Sequence, residues 1–444
     1  MLQKDSNRPL IKVTPPGPEA RKVLAKDKKY VSPSCTRGYP FVAERGYGMM
    51  VEDPDGNRYM DMNAGVAVNA TGHSHPEVVR VIKEQAEQLI HMIGADFYYR
   101  WQSDLAEAVC QITPGKFAKK AFLACTGTEA IEAAIKLARY HTRRPRMIAY
   151  IGSFHGRTMG ALSLTASKAA QRRHFSPMLS EVTHIPYPYC YRCLFNLTYP
   201  KCNFACLSYL EDVIFNKVAP ADDVAAVVIE PIQGEGGYVV PPDGYMQKLR
   251  ALTAKHGILL IVDEIQSGLG RTGKMFAIEH WKVEPDMVCI AKGIASGMPL
   301  SAMVAKASIM TWPAGAHANT FGGNPVCCAA ALKTIEMLND SLIANARSTG
   351  DYLLKRLKGL QNKYDFVGDV RGKGLMVGIE IVKNRKTKAK DLEKRTKIVN
   401  ECFKSGILLV GCGENNIRFS PPLIITKSDI DVAMEIMGKV LRKV

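Results

Sequence analysis

The chain has 444 residues, of which 47% are hydrophobic and 23% charged, the balance of an ordinary globular protein. No apolar run approaches the ~18 residues a membrane helix requires, and Met1 to Val13 holds no signal-peptide core, so a cytoplasmic protein without a membrane partner is expected. The formal charge of +17 is scattered apart from a small cluster at Lys383 to Lys390, and no nucleic-acid motif accompanies it; it reads as a basic surface with a site for anionic ligands.

The first forty residues are rich in Pro, Lys and Arg and are expected to wrap the surface. Met50–Asp53 and Arg58–Asp61, separated by Pro54-Asp55-Gly56-Asn57, predict a small hairpin. From about Ser103 to Ser301 apolar runs alternate with helical patterns. A strand at Ala121–Ala124 leads through Cys125-Thr126-Gly127-Thr128 into a helix over Glu129–His141, where Ile131, Ala134, Ile135 and Ala138 recur at helical spacing. Met147–Ile151 and Ala225–Ile229 are further strands, and a helix near Gly244–Lys255 stops at His256-Gly257. Two more strands end at Asp263 and Ala291. Such alternation predicts an α/β fold with a mainly parallel sheet, whose ligands bind beyond the carboxyl ends of the strands. Glu230, Asp263 and Lys292 each follow their own strand and so fall on one sheet edge.

Past about Pro325 the pattern changes to a second, α+β unit. Helices are expected to Leu338 and over Ser341–Leu360, strands over Val367–Arg371 and Leu375–Ile381, and a helix near Asp391–Ser405. Ile407–Val410 and Asn416–Phe419 read as a hairpin, and the end as helix.

An amine and an acid at neighbouring strand ends suit an aldehyde cofactor held at both ends. Lys292 would form a Schiff base, and Asp263 would keep a ring nitrogen protonated, as with pyridoxal 5′-phosphate. Gly127 and Thr128, opening a helix, offer N–H groups and a hydroxyl to a phosphate, although an ordinary Thr N-cap would look the same. In Gly152-Ser153-Phe154-His155-Gly156-Arg157, Phe154 can stack on a flat ring and Arg157 can grip a carboxylate; His155 is a further cofactor contact or a core residue. Gln266 could reach the ring's phenolic oxygen, and Thr320, in Thr320-Phe321-Gly322-Gly323-Asn324-Pro325, is another phosphate candidate. Glu235 lies in a glycine-rich acidic loop, and Arg418, at a late strand end, is a second carboxylate clamp.

Most of the twelve cysteines lie in apolar stretches (Cys125, Cys289, Cys327, Cys328), which fits a reducing compartment. Cys190, Cys193, Cys202 and Cys206 form two close pairs with spacing open to zinc or an iron–sulfur cluster, or to plain packing of an insertion rich in Tyr and Pro.

Taken in order, GHSHP, TGTEAIEAAIKLAR, FHGRT, EPIQGEGG, VDEIQSGLGRTG, AKGIASGMPLSA, TFGGNP, RGKGLMVGIE and IRFSPP resemble the class III pyridoxal-phosphate aminotransferases over nearly the whole chain, from about Gly46. The resemblance implies fold type I, with a large cofactor domain (76–329) and a smaller α+β domain built from an N-terminal segment (1–75) and the C-terminal part (330–444). It implies a homodimer with Thr320 supplied by the neighbouring subunit, Lys292 as the Schiff-base lysine, and Lys292, Asp263 and Glu230 as the catalytic set. It also implies that Glu235 and Arg418 pair or separate with the substrate, while Arg157 grips the carboxylate remote from the reacting amine. Cys125-Thr126-Gly127 departs from the common Ser-Gly pattern but keeps a hydroxyl, and the Cys190–Cys206 segment is an addition. The expected reaction is transamination from an ω-amino acid of the 4-aminobutyrate or ornithine type to 2-oxoglutarate. An amino-acid racemase on the same scaffold is the principal alternative; an aminomutase, a decarboxylase or a non-catalytic binding protein would fit less well.

Overall fold

The computed structural model describes residues 7–444, so the first six residues of the N-terminal stretch fall outside it. Strands β1 (Arg45–Tyr47), β2 (Met50–Glu52) and β3 (Arg58–Asp61) form a small antiparallel meander. The β2–β3 turn is where the Pro-Asp-Gly-Asn sequence places it, because Asp53 accepts the backbone N–H groups of Asp55 and Asn57 and the Asn57 amide. The first forty residues are more regular than expected: Pro18–Tyr30 is a helix with Pro at its first position, its entry held by Asp55, which accepts the N–H groups of Glu19 and Ala20.

The centre is a seven-stranded sheet of β4 (Lys119–Ala124), β5 (Arg146–Tyr150), β6 (Val182–Ile185), β7 (Val224–Ile229), β8 (Leu259–Asp263), β9 (Met287–Ile290) and β10 (Ser301–Lys306), in the order β4-β10-β9-β8-β7-β5-β6. Neighbours are parallel from β9 through β6, and β10 runs antiparallel between β9 and β4. All six residues of β7 and all four of β9 are buried, the continuous apolar run of a strand covered on both faces. The helix Gly127–Thr142 lays Ala130, Ala133, Ala134 and Ala138 with Ile131, Ile135 and Leu137 against this sheet. The small alanines let helix and strands approach closely, and each fully buried Ile or Leu contributes about 1.5–3 kcal/mol.

The later part of the chain forms an antiparallel sheet in the order β11 (Val367–Lys373), β12 (Met376–Asn384), β16 (Asn416–Phe419), β15 (Val410–Cys412), with the short β13 (Ala389–Lys390) on β12. The expected hairpin of Ile407–Val410 with Asn416–Phe419 is corrected. Only Val410–Cys412 pairs with β16, while β14 (Ile407–Leu408) pairs in parallel with β3. Tyr59 stacking on Phe403 at 5.6 Å reinforces this junction between early and late chain. No helix among the described residues is long and apolar enough to cross a membrane.

Candidate active site

Because β7, β8 and β9 are parallel and adjacent, Glu230, Asp263 and Lys292 emerge at one edge of the sheet. They line a cavity of about 420 Å³ together with Gly127, Thr128, Phe154, His155, Arg157 and Gln266. Nine of the residues singled out from sequence therefore meet at one place.

Lys292 opens a short 3₁₀ turn, Lys292–Ala295, with a φ of 47°, in the left-handed region that costs a non-glycine residue about 1–3 kcal/mol. Burial lowers its pKa, against the opposing pull of Asp263. An amine so placed is neutral more often than a surface lysine, as a nucleophile and proton carrier must be.

Asp263 is fixed on two sides. Its Oδ1 accepts the N–H of Ile265 at 3.0 Å and its Oδ2 meets His155 Nδ1 at 2.7 Å. Burial alone would depress the His155 imidazole, but the hydrogen bond and charge of Asp263, with Glu230 nearby, leave its pKa raised. His155 is thus a buried anchor behind the acid, between the two alternatives read from sequence. Glu230 is equally constrained: its Oε2 accepts the N–H of Phe154 at 3.1 Å and its Oε1 that of Gly234 at 3.0 Å. Burial raises its carboxyl to about 7. Its visible work is to brace the loop carrying Phe154 and the loop carrying Glu235.

The start of the helix Gly127–Thr142 faces the cavity. Glu129 turns back on it, accepting the Thr126 N–H and hydroxyl, both at 2.7 Å, and the Cys125 N–H at 3.2 Å, so the preceding loop is capped from within. The N–H groups of the helix's first turn, at Gly127 and Thr128, precede any intrahelical partner and are oriented for an anion. Two glycines keep this corner open. A Cβ on Gly127 would lie 2.9 Å from Ile265, and one on Gly156 would lie 2.2 Å from the Thr128 hydroxyl, which itself contacts the Thr158 hydroxyl at 2.6 Å.

These features fit pyridoxal 5′-phosphate. The cavity has the size of a cofactor site, the helix start suits the phosphate, and Asp263 retains lone pairs for a ring nitrogen. Gln266 Oε1 is buried without any partner, an orphan that a polar ligand atom would satisfy.

Three sequence candidates stand apart. Thr320 is exposed and does not line the cavity. Glu235 and Arg418 are also absent from its lining, but they meet each other: Arg418 Nη1 lies 3.3 Å from Glu235 Oε2, with only 7% of the Arg418 side chain exposed. Both bear electrostatically on Lys292. Sequence gave no sign that Lys168 holds the other oxygen of Glu235, at 2.6 Å.

The four clustered cysteines lie elsewhere, around a separate cavity of about 20 Å³ among Tyr189, Phe195, Tyr199 and Phe204. Among the described residues no three His, Cys, Asp or Glu side chains are arranged to hold a metal ion. These thiols are free, and burial together with the neighbouring Cys190, Cys202 and Cys193 pushes Cys206 up to about 12; the spacing read from sequence, open to a metal or to packing, is met by four thiols lining one cavity.

Glu264, next to Asp263, is fully buried; it accepts the Ser267 hydroxyl at 2.6 Å and the Ile278 N–H at 2.8 Å. Burial raises its carboxyl to about 7 from 4.5. A carboxyl raised on folding stabilises fully below its unfolded pKa, and that contribution is lost as pH climbs through the folded value. Glu264→Gln mimics the protonated form. It is expected to shrink the fall in melting temperature between pH 5 and pH 8, removing on the order of 1–3 kcal/mol of pH-dependent stability. An unaltered pH slope would show that Glu264 does not titrate there.

Comparison with known proteins places the site in context. The family profile of class III aminotransferases matches residues 32–441. An alanine/serine racemase of Pyrococcus horikoshii is 40% identical over 98% of this chain and 95% of its own length. A 4-aminobutyrate aminotransferase of Mycobacterium leprae is 38% identical over 96% of each. The crystal structure of a thermostable (S)-enantioselective ω-transaminase from Thermomicrobium roseum superposes with a TM-score of 0.89 at 33% identity, covering 96% of this chain and 98% of that one.

Proposed function

Since this chain belongs to the class III aminotransferase family, with its fold type I architecture and pyridoxal 5′-phosphate cofactor, we propose that it transfers the amino group of an ω-amino acid to 2-oxoglutarate. The observation that carries this reading is the Glu235–Arg418 pair, which leaves Arg157 as the carboxylate clamp at the cavity. A donor of the 4-aminobutyrate or ornithine type has no carboxylate beside its reacting amine, so an unpaired arginine there would face only a cation.

When bound, the cofactor supplies an aldehyde for an amine and an electron-withdrawing ring beside the reacting carbon. Gly127 and Thr128 would hold its phosphate, Phe154 would lie against its ring, and Gln266 would reach its phenolic oxygen. Asp263, anchored by His155, would keep the ring nitrogen protonated. Lys292 Nζ, buried and with its pKa lowered, would take the proton from the carbon bearing the substrate's reacting amine. Arg157 orients the donor through its remote carboxylate. With 2-oxoglutarate, Arg157 takes the γ-carboxylate, and Arg418, released from Glu235, takes the α-carboxylate. The same reading makes the enzyme a cytoplasmic homodimer in which the exposed Thr320 completes the partner's phosphate site.

Arg157→Ala is expected to raise KM for 4-aminobutyrate about 10- to 100-fold, the loss of charge-assisted hydrogen bonds to one carboxylate. Steady-state kinetics across amino donors, read as glutamate formed, would check this. An unchanged KM would remove Arg157 from the clamp role.

A second reading is supported by the 40% identity to the alanine/serine racemase. Lys292 and Asp263 would serve both reactions, and the destination of the proton separates them: lost from the substrate carbon in transamination, returned to it in racemisation. Incubating single enantiomers of alanine or serine without an oxo acid, followed by chiral chromatography, decides the matter. Appearance of the other enantiomer overturns the transamination reading.

A further inference from the structure

Glu235 has two cations and one carboxylate. Oε2 faces Arg418 at 3.3 Å, and Oε1 faces Lys168 at the shorter distance of 2.6 Å. The two cations differ in setting: the Arg418 side chain is 7% exposed and its Nε is buried without a partner, whereas Lys168 is 41% exposed. The backbone between them is fixed, since the Glu235 carbonyl accepts the Gly413 N–H at 2.6 Å and a Cβ on Gly413 would meet the Gly236 carbonyl oxygen at 3.0 Å. Redistribution between the two cations therefore falls to side-chain torsions alone.

From this we infer that Lys168 is a specificity-determining residue: it keeps Glu235 paired when Arg418 leaves to bind the α-carboxylate of an oxo acid or α-amino acid. Without Lys168, releasing Arg418 would strand a largely buried carboxylate beside an incoming anion, an arrangement that costs far more than an exposed charge would. With Lys168, Arg418 exchanges one carboxylate for another while Glu235 remains neutralised. Lys168 thus lowers the cost of accepting α-carboxylates, and its removal biases the site toward donors that lack one. The inference rests on the proposed role of Arg418 as the α-carboxylate clamp.

The test uses the holoenzyme, three single variants and one double variant. In Lys168→Met, the ratio of kcat/KM for 2-oxoglutarate to that for the ω-amino donor is expected to fall about three- to tenfold, the range between an exposed and a buried ion pair. Calorimetric binding of glutarate, a non-reacting dicarboxylate, is expected to weaken by a similar factor. Lys168→Arg should restore both, because it keeps the charge. Glu235→Gln should shift the same ratio the other way, and in that background Lys168→Met should have no further effect. If Glu235→Gln moves the ratio but Lys168→Met moves neither ratio nor glutarate affinity, the inference about Lys168 is overturned and the clamp reading stands. If Glu235→Gln itself leaves the ratio unmoved, the clamp reading fails and the inference falls with it.

Discussion

Lys292→Ala is expected to lower turnover by at least about 10⁴-fold while leaving the protein folded and no less stable. The loss follows from position. Lys292 lines the cavity beside Asp263 and Glu230, two residues past the end of β9, and burial lowers its pKa. Proton transfer by a positioned group commonly supplies about 10²–10⁴ in rate, and in the proposed role the same amine would also activate the cofactor's aldehyde. Stability behaves differently, because an amine in a confined site is a desolvation burden that alanine removes. The backbone strain remains, since alanine at φ 47° is as unwelcome as lysine. Borohydride reduction followed by mass spectrometry gives an independent readout: the peptide containing residue 292 should gain the cofactor's mass in the parent protein and not in the variant. A variant retaining more than about 1% of turnover would remove Lys292 from its central role.

What sequence could reveal here depended on distance along the chain. The buried strands β7, β8 and β9 announce themselves as apolar runs, and each chemistry-bearing residue lies at or within two residues of its strand's end, so the shared sheet edge is legible in the sequence. β10 was not, because nothing in Ser301–Lys306 distinguishes an antiparallel strand inserted between β9 and β4. The two-residue β14 has no periodicity to read, and its partner β3 lies about 350 residues earlier, so a local hairpin looked the simpler choice. The site divides in the same way. Arg157, in a glycine-marked loop, and Arg418, at a strand end followed by prolines, are visible in sequence, but the grip of His155 on Asp263 spans 108 residues and that of Lys168 on Glu235 spans 67. Neither spacing carries a signature. In the Cys190–Cys206 segment spacing brings four thiols to one cavity, but spacing alone does not report whether such side chains act as ligands or pack among aromatic rings.

Asp263→Asn should cost about 10²–10³ in turnover, less than loss of Lys292 but with a more telling pattern. The substitution keeps size and hydrogen-bonding shape, so the Ile265 N–H still finds an acceptor and His155 Nδ1 can still be engaged after a change of tautomer. What disappears is the negative charge. In the proposed role, a neutral amide would not stabilise a proton on the cofactor's ring nitrogen, and the ring would withdraw electrons less well from the reacting carbon. His155 changes too: with its raising partner gone, burial is left to dominate and its pKa should fall, an effect visible in the pH titration of its imidazole NMR signal. Asp263→Ala would add a structural defect by stranding the buried imidazole, at a cost of about 1–3 kcal/mol in stability. The contrast separates charge from support. If Asn and Ala variants lose turnover equally while only Ala loses melting temperature, the charge of Asp263 carries the chemistry and His155 its placement. If Asn retains full turnover, the acid serves only to hold His155, and the pairing of Asp263 with a ring nitrogen is wrong.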